Sequence, residues 1–408
     1  MSASPTTRVR VAVDHPEGAE LAGTAFVTER RGVVSTVFDY DPGYLVQRWA
    51  YPLSPDLELS QGKHSVTGLP GSFADSAPDR WGRNLIAKRV RAGAREDGRP
   101  RAAIQEVDFL LGVSDLTRQG ALRFAREHDG PYLDARHDVP RLVALPRLLR
   151  AADAVSADDD DLAAVKILLD AGTGSLGGAR PKASVQGDNT LLIAKFPHHS
   201  DEWDVMAWEK TALDLAAQCG IRVPRRRLVD IGGRSVLVLQ RFDRDRGGRI
   251  GYISAMTMLG RQDGDRADYL EVAEGLSEHG SAVTEDLAEL WSRIALSVVI
   301  NNTDDHLRNH GFLRQGPGWR LSPVFDINPH PDLSLERATT IGFVSGAEDA
   351  SAALLESAAD FGLDAADARS AWEDVIAATA SWREVARSNG ITDDECARFA
   401  PVMDRFRG

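Results

Sequence analysis

Asn301-Asn302-Thr303-Asp304-Asp305-His306-Leu307-Arg308-Asn309-His310-Gly311-Phe312 is the stretch that decides how this chain is read. An apolar run at helical spacing (Leu287, Leu290, Trp291, Ile294 and Val298) leads into it, with Thr284, Glu285 and Asp286 at the expected helix start. Two short strand-like runs, His310 to Leu313 and Trp319 to Leu321, follow it around Gly316-Pro317-Gly318. Within the stretch an Asp and an Asn stand five apart, Asp304 and Asn309, and a further Asp, Asp326, follows in Val324-Phe325-Asp326. A carboxylate, a carboxamide and a later carboxylate in that order suit kinase-type phosphoryl transfer. One carboxylate orients or deprotonates the attacking hydroxyl, and the other two groups hold the Mg²⁺ ions that bridge the phosphates.

Such chemistry also needs a phosphate-covering loop and a lysine upstream, and both are present. Gly172 to Lys182 is dense in small residues, which let backbone N–H groups approach phosphates without a Cβ in the way. Gly172, Gly174 and Gly177 satisfy G-x-G-x-x-G, and Val165 to Leu169 before them looks strand-like. A dinucleotide-binding fingerprint would require a helix straight after the loop. Pro181 and a strand–turn–strand pattern stand there instead, so a hairpin is expected. Lys195 ends the second strand of that hairpin, where a lysine can reach nucleotide phosphates and pair with a helix glutamate such as Glu209. Gln240-Arg241-Phe242-Asp243-Arg244 ends another strand and offers backbone hydrogen-bonding groups and an aromatic wall to an adenine between two lobes. Taken singly, each of these also reads as an ordinary turn, edge lysine or loop; their order along the chain makes the combination specific.

Composition bounds the rest. At 408 residues, 43% hydrophobic and 27% charged, the chain has length for two or three domains, each with its own core. A net charge of −13 argues against a nucleic-acid coating protein. Basic residues nevertheless gather between Arg80 and Arg101, read either as a solvated helix face or as a docking face for a partner. Two distant cysteines, Cys219 and Cys396, suggest neither a disulfide framework nor a zinc site. Without an apolar leader or a membrane-length apolar run, a soluble cytoplasmic protein that does not engage a membrane is expected.

Outward from the central stretch, residues 8 to 50 alternate as β-strands. A helix is predicted from near Pro78 through Trp81, Leu85, Ile86 and Val90, and a short one around Ile104 to Leu111. Asp158 to Asp161 reads as an acidic helix start rather than a metal site. Ser200, with Asp201 and Glu202, is expected to cap a helix bearing Val205, Trp208, Ala212 and Leu215. The last 60 or so residues read as helical.

The segments Ser175 to Lys182, Ile193 to Pro197, Gln240 to Arg244, Asn302 to Asn309 and Val324 to Asp326 together resemble the HipA family, serine/threonine-kinase toxins of bacterial type II toxin–antitoxin modules. The resemblance covers roughly 172 to 330, and the N-terminal β unit fits that family's extra subdomain. It implies an α+β, bilobal protein-kinase-like fold with a β-rich N-terminal lobe and a mostly α-helical C-terminal lobe. The domains would be 1–125 (N-terminal subdomain), 126–245 (ATP-binding lobe) and 246–408 (helical lobe). It casts Asp304 as catalytic base and Asn309 and Asp326 as Mg²⁺ ligands. ATP would be held by Gly177, Gly178, Ala179, Arg180, Pro181, Lys182 and Lys195, by the hinge Gln240, Arg241 and Phe242, and by His306, Leu307, Arg308, Asn309, Phe325 and Asp326. Ser175 matches the family's autophosphorylated serine, whose added charge would expel the loop from the ATP site. The resemblance further implies a HipB-like DNA-binding antitoxin, contact with DNA only through it, and an aminoacyl-tRNA synthetase as protein substrate. Two positions depart from the pattern: Gln240, where an acidic residue often stands, and Asp305, where a small one is expected and where extra charge beside the catalytic site would alter metal affinity or substrate choice. The competing readings are a small-molecule phosphotransferase and a non-catalytic nucleotide-binding partner of a DNA-bound antitoxin.

Overall fold

Alternating strands and amphipathic helices in separate stretches of sequence build two compact units in the computed structural model. It describes residues 6–96, 104–126, 132, 139–157, 161–172, 180–187 and 190–407. Met1–His199 with Asp243–Ile253 form the first unit, and Ser200–Phe242 with Ser254–Gly408 the second.

In the first unit, β1 (Thr7–His15), β2 (Gly18–Arg30), β3 (Val33–Tyr40), β4 (Lys63–Thr67) and β5 (Leu122–Ala125) make one antiparallel sheet in the order β4-β3-β2-β1-β5. Alternation decides which face is buried: Val9, Val11, Phe38 and Phe124 lie inside. The β2–β3 turn places Arg31 and Gly32 at φ +52° and +79°, the twist-matching hairpin geometry. Helix α1 (Arg80–Glu96) buries Trp81, Leu85 and Ile86 as their spacing predicts. Its first turn is capped by Asp79, which accepts from Gly82 N at 2.8 Å. Part of the basic run is used inside the unit: Arg83 forms a two-point pair with Glu106 of α2 (Glu106–Leu111), and Arg89 donates to Gly112 O.

Two helices follow, α3 (Leu145–Ala157) and α4 (Leu162–Asp170). The strand-like reading of Val165–Leu169 is therefore corrected. Val165, Leu168 and Leu169 bury one helical face, and Asp161 caps the helix by accepting from Ala164 N at 2.9 Å. A run of β-favouring residues as short as this cannot be told from a buried helix segment by composition. Asp158 to Asp160 lie outside the described residues. The expected hairpin is present as β6 (Lys182–Gly187) and β7 (Thr190–Lys195), with Lys182 directly opposite Lys195.

The second unit opens with α5 (Val205–Gln218), capped by Asp204, which accepts from Ala207 N at 2.9 Å. Ser200 is not the cap; the helix begins one turn later, where an Asp precedes the first buried residue, Val205. A hairpin follows, β8 (Arg226–Asp230) with β9 (Ser235–Gln240). Then come α6 (Tyr269–His279) and α7 (Val283–Val299), the latter wholly buried at Leu290, Trp291, Ile294 and Ala295. Beyond it lie the strands β10 (Gly311–Gln315) and β11 (Gly318–Leu321). Helices α8 (Ala350–Glu356), α9 (Ala365–Ala378), α10 (Trp382–Ser388) and α11 (Asp393–Met403) complete the chain. Trp208 stacks on Phe399 at 3.8 Å and fixes α11 on α5.

Asp286 stands in the first turn of α7, as its place at the expected helix start implied, and does more than mark that start. It is fully buried and accepts from Arg222 Nη2 (2.7 Å), Arg320 Nε (3.2 Å) and Leu321 N (2.8 Å), joining α7 to β11.

Candidate active site

Helix α7 ends at Val299, and Asn301 takes φ +53°, turning the chain off the helix axis. Asn is among the few residues that accept the left-handed region at low cost. Its side chain then donates from Nδ2 to His330 O (3.0 Å) and Asp332 O (2.9 Å). The chain runs without regular structure through His306, closes a 3₁₀ turn over Leu307–Asn309 (Asn309 N to His306 O, 2.8 Å) and enters β10.

Four successive backbone carbonyls in this loop are held from outside or across it. Asn302 O accepts from Ser297 Oγ (3.0 Å) and Arg337 Nη1 (3.3 Å). Thr303 O accepts from Ala338 N (2.9 Å). Asp304 O accepts from Asn309 Nδ2 (3.0 Å) and His306 N (3.1 Å). Asp305 O accepts from Thr339 Oγ1 (2.6 Å). Buried Arg337 and Thr339, more than 30 residues downstream, are thus part of the site's frame. The sequence reading missed them, because no local pattern links an Arg-Ala-Thr run to a loop that far upstream.

Asp304 faces solvent, whereas Asn309 is 7% exposed. Asn309 is oriented by one Nδ2 hydrogen bond to Asp304 O, and its Oδ1 is an acceptor distinct from that bond. Asp326 stands at φ +58°, a second left-handed outlier bracketing the site, and the chain just beyond it is tied to the loop by Asn328 N donating to Asn302 Oδ1 (3.1 Å). Desolvation raises the Asp304 carboxyl above the ordinary carboxylate range; the neighbouring charges of Asp326 and Asp305 raise it further, and His306 opposes them. Crowded carboxylates of this kind with a carboxamide oxygen alongside are a donor set that a hard divalent cation would relieve. Among the described residues there is no group of three or more His, Cys, Asp or Glu placed to hold a metal ion.

The charge of Asp305 does act on Asp304, but from the interior side of the loop. Asp305 is 6% exposed and lies in the interior, with Tyr269 Oη donating to Oδ2 (2.5 Å) and His310 Nε2 at 3.1 Å from Oδ1. Burial alone would raise its carboxyl; His310 and the Tyr269 hydroxyl outweigh that and hold it low. Burial and the same carboxylate push the Tyr269 phenol well up. A small cavity behind the loop is lined by Asp305, His310, Arg293 and Ser297 among apolar side chains.

The structure places the remaining expected residues as follows. In the second unit, Phe242 and Phe325 approach at 5.5 Å between ring centroids, so the hinge strand and the Asp326 segment present neighbouring aromatic faces. Gln240 N donates to Arg225 O (2.8 Å), and Arg241 is buried. Leu307 is buried, and Arg308 is engaged at the surface in a two-point pair with Asp263 (both 2.9 Å). Asp243 and Arg244, the tail of the hinge motif, belong to the first unit. There Asp243 Oδ2 accepts from Gly120 N (2.8 Å) and Arg244 Nη2 donates to Arg118 O (2.7 Å). In that unit Lys195 is 7% exposed and Lys182 2% exposed, with Lys182 Nζ 3.1 Å from Asp79 Oδ2. Arg180 is half-buried and Pro181 buried. Ser175, Gly177, Gly178 and Ala179 lie outside the described residues, and Glu209 is buried on α5.

A helix feeding a braced Asp-x₄-Asn loop, a later Asp and a neighbouring pair of aromatic rings sit in an α+β fold of the kinase-like class. Comparison with known proteins narrows the class. A family model described as the HipA-like C-terminal domain matches residues 174–382, just over half the chain, and one described as the HipA N-terminal domain matches 19–105. The chain belongs to the HipA family. Its fold is similar to that of HipA from Shewanella oneidensis MR-1, solved in complex with HipB and operator DNA. The TM-score is 0.71 at 13% identity, covering 97% of this chain and 95% of that one. Over 144 residues it is 23% identical to the Haemophilus influenzae (strain Rd) protein named "Putative kinase", a match spanning 31% of this chain and 42% of that relative's length. No described helix is long and apolar enough to cross a membrane.

Proposed function

We propose that this chain is an ATP-dependent serine/threonine-protein kinase that acts as the cytoplasmic toxin of a type II toxin–antitoxin module. The observation that carries the reading is the exposed carboxylate of Asp304 on a loop whose carbonyls are held on every side, with Asn309 and Asp326 alongside. Asp304 accepts the proton of an attacking hydroxyl and orients it, and its raised pKa makes it a better base than an ordinary carboxylate. Asn309 through Oδ1 and Asp326 through its carboxylate would hold Mg²⁺, which would supply charge neutralisation on the transferring phosphoryl group. Phe242 and Phe325 flank the adenine beside Gln240 and Arg241. Lys195, with residues 177 to 182 and His306 to Asn309, contacts the phosphates. Ser175 is the site of self-phosphorylation, a HipB-like DNA-binding antitoxin is the restraining partner, and an aminoacyl-tRNA synthetase is the acceptor class. The division by role is an N-terminal subdomain (1–125), an ATP-binding lobe (126–245) and a helical lobe (246–408).

Intact mass after incubation with Mg-ATP, followed by peptide mapping, tests this directly. One added phosphate at Ser175, absent from Asp304→Ala, is the expected result. An unmodified wild-type chain that binds ATP, or an Asp304→Ala variant that gains phosphate at the wild-type rate, would refute it.

A further inference from the structure

Adjacent residues Asp304 and Asp305 have opposite fates: one faces solvent and the other is 6% exposed. A buried carboxylate is costly unless its oxygens are matched; here one oxygen accepts a hydrogen bond and the other has an imidazole nitrogen at 3.1 Å, an ion pair when that ring is protonated. Tyr269 reaches Oδ2 from α6, and His310 stands at Oδ1 from the entrance of β10. The Tyr269 and His310 rings meet edge to face at 5.5 Å, so the two groups also fix one another. Arg337, His306 and Asp304 itself are the other charged or titratable groups coupled to Asp305. The backbone of the same residue is pinned by Thr339, and the carbonyl before it by Asn309. Asp305 is thus clamped through its side chain on one side and its peptide groups on the other, and Asp304 is bonded directly to it.

We infer that Asp305, gripped by Tyr269 and His310, is a positioning residue that sets where the Asp304 carboxylate stands. A non-helical loop carries no internal ladder to fix a side chain, so its accuracy must come from such anchors. A displacement of about 1 Å at a reacting group can cost about 100-fold in rate. The kinetic consequence rests on the kinase reading; the structural consequence does not.

The test therefore uses two readouts on the full chain, for wild type, Asp305→Ala, Asp305→Asn, Tyr269→Phe and the double variant Asp305→Ala/Tyr269→Phe. The first is single-turnover phosphate transfer from Mg-ATP, with nucleotide affinity measured by titration calorimetry. Asp305→Ala is expected to lose about 100-fold in transfer rate while nucleotide affinity stays within about twofold. Asp305→Asn, which still accepts from Tyr269, should recover most of the rate. The double variant should be no slower than Asp305→Ala, because both changes break one clamp. The second readout is hydrogen exchange of the amides of residues 302 to 309, which should quicken in Asp305→Ala and Tyr269→Phe while the amides of α7 do not. Transfer within twofold of wild type in Asp305→Ala overturns the inference. So does a loss matched by equal losses of nucleotide affinity and of α7 protection, since that is general destabilisation. If the wild type transfers no phosphate, the kinase reading falls, and the exchange data alone decide: unchanged protection of 302 to 309 in Asp305→Ala overturns the positioning role.

Discussion

Asn309 does two jobs that substitution can separate. Its Nδ2 holds Asp304 O at 3.0 Å, and its Oδ1 is the proposed metal ligand. Asn309→Ala removes both; Asn309→Asp keeps an oxygen ligand but puts acceptor against acceptor at Asp304 O. The carbonyl retains His306 N at 3.1 Å, so it is not orphaned. The stability loss in Asn309→Ala should therefore be that of one net hydrogen bond, about 1 kcal/mol. The effect on activity should be larger. The loop turn from Asp304 to Asn309 loses its cross-brace and the metal loses a ligand, together worth about 10²–10³ in transfer rate. The two contributions separate in a Mg²⁺ titration of phosphate transfer, run beside urea unfolding. Asn309→Ala should need more Mg²⁺ for half-maximal rate. Asn309→Asp should reach half-maximal rate at wild-type Mg²⁺ or below, yet plateau well under the wild-type maximum. If Asn309→Ala shows wild-type Mg²⁺ dependence and a wild-type plateau, neither job belongs to Asn309 and the site has been misassigned.

Other consequences concern stability. Asp286→Ala leaves the buried Leu321 N–H without an acceptor and strips Arg222 and Arg320 of a shared partner; both arginines are partly exposed and can rehydrate, so the expected cost is about 2–4 kcal/mol, read as a lowered urea midpoint with an unchanged slope. Phe343 is 91% exposed at φ +71° in a two-residue turn with Gly342. Phe343→Gly should relieve that backbone at almost no loss of packing, raising stability by about 0.5–1 kcal/mol after glycine's own entropic cost; an unchanged or lower midpoint would contradict it. Asp304 has a raised folded-state pKa, so its ionised form costs stability in metal-free protein. Asp304→Asn should then be more stable than wild type at neutral pH, and the gain should fade as pH falls through the raised pKa to below the ordinary carboxylate value. A gain independent of pH would show that the carboxylate is not the cause.

Local regularities were legible in the chain alone. Alternation gave the N-terminal strands and the Lys182–Lys195 hairpin, and 3.6-residue spacing gave α1 and α7, because each depends on residues near one another in sequence; the Asp304–Asn309–Asp326 order is the source of the proposed chemistry. Where the sequence misled, the choice lay in partners far away. Val165 to Leu169 satisfied a strand pattern and a helix pattern equally, and packing of Val165, Leu168 and Leu169 on one face decided it. Asp286 stands in the first turn of α7 as expected, but its role as buried acceptor for Arg222, Arg320 and Leu321 was not visible in the chain. Asp305 stood beside Asp304 in the chain and looked like a second charge in the site. Tyr269 and Thr339, brought in from other elements, and His310, folded back from the end of the same stretch, determined that it turns inward and braces the loop. Sequence determined which groups are available and at what spacing; tertiary structure decided which way each one faces, because burial of a charge is settled by the partners that meet it.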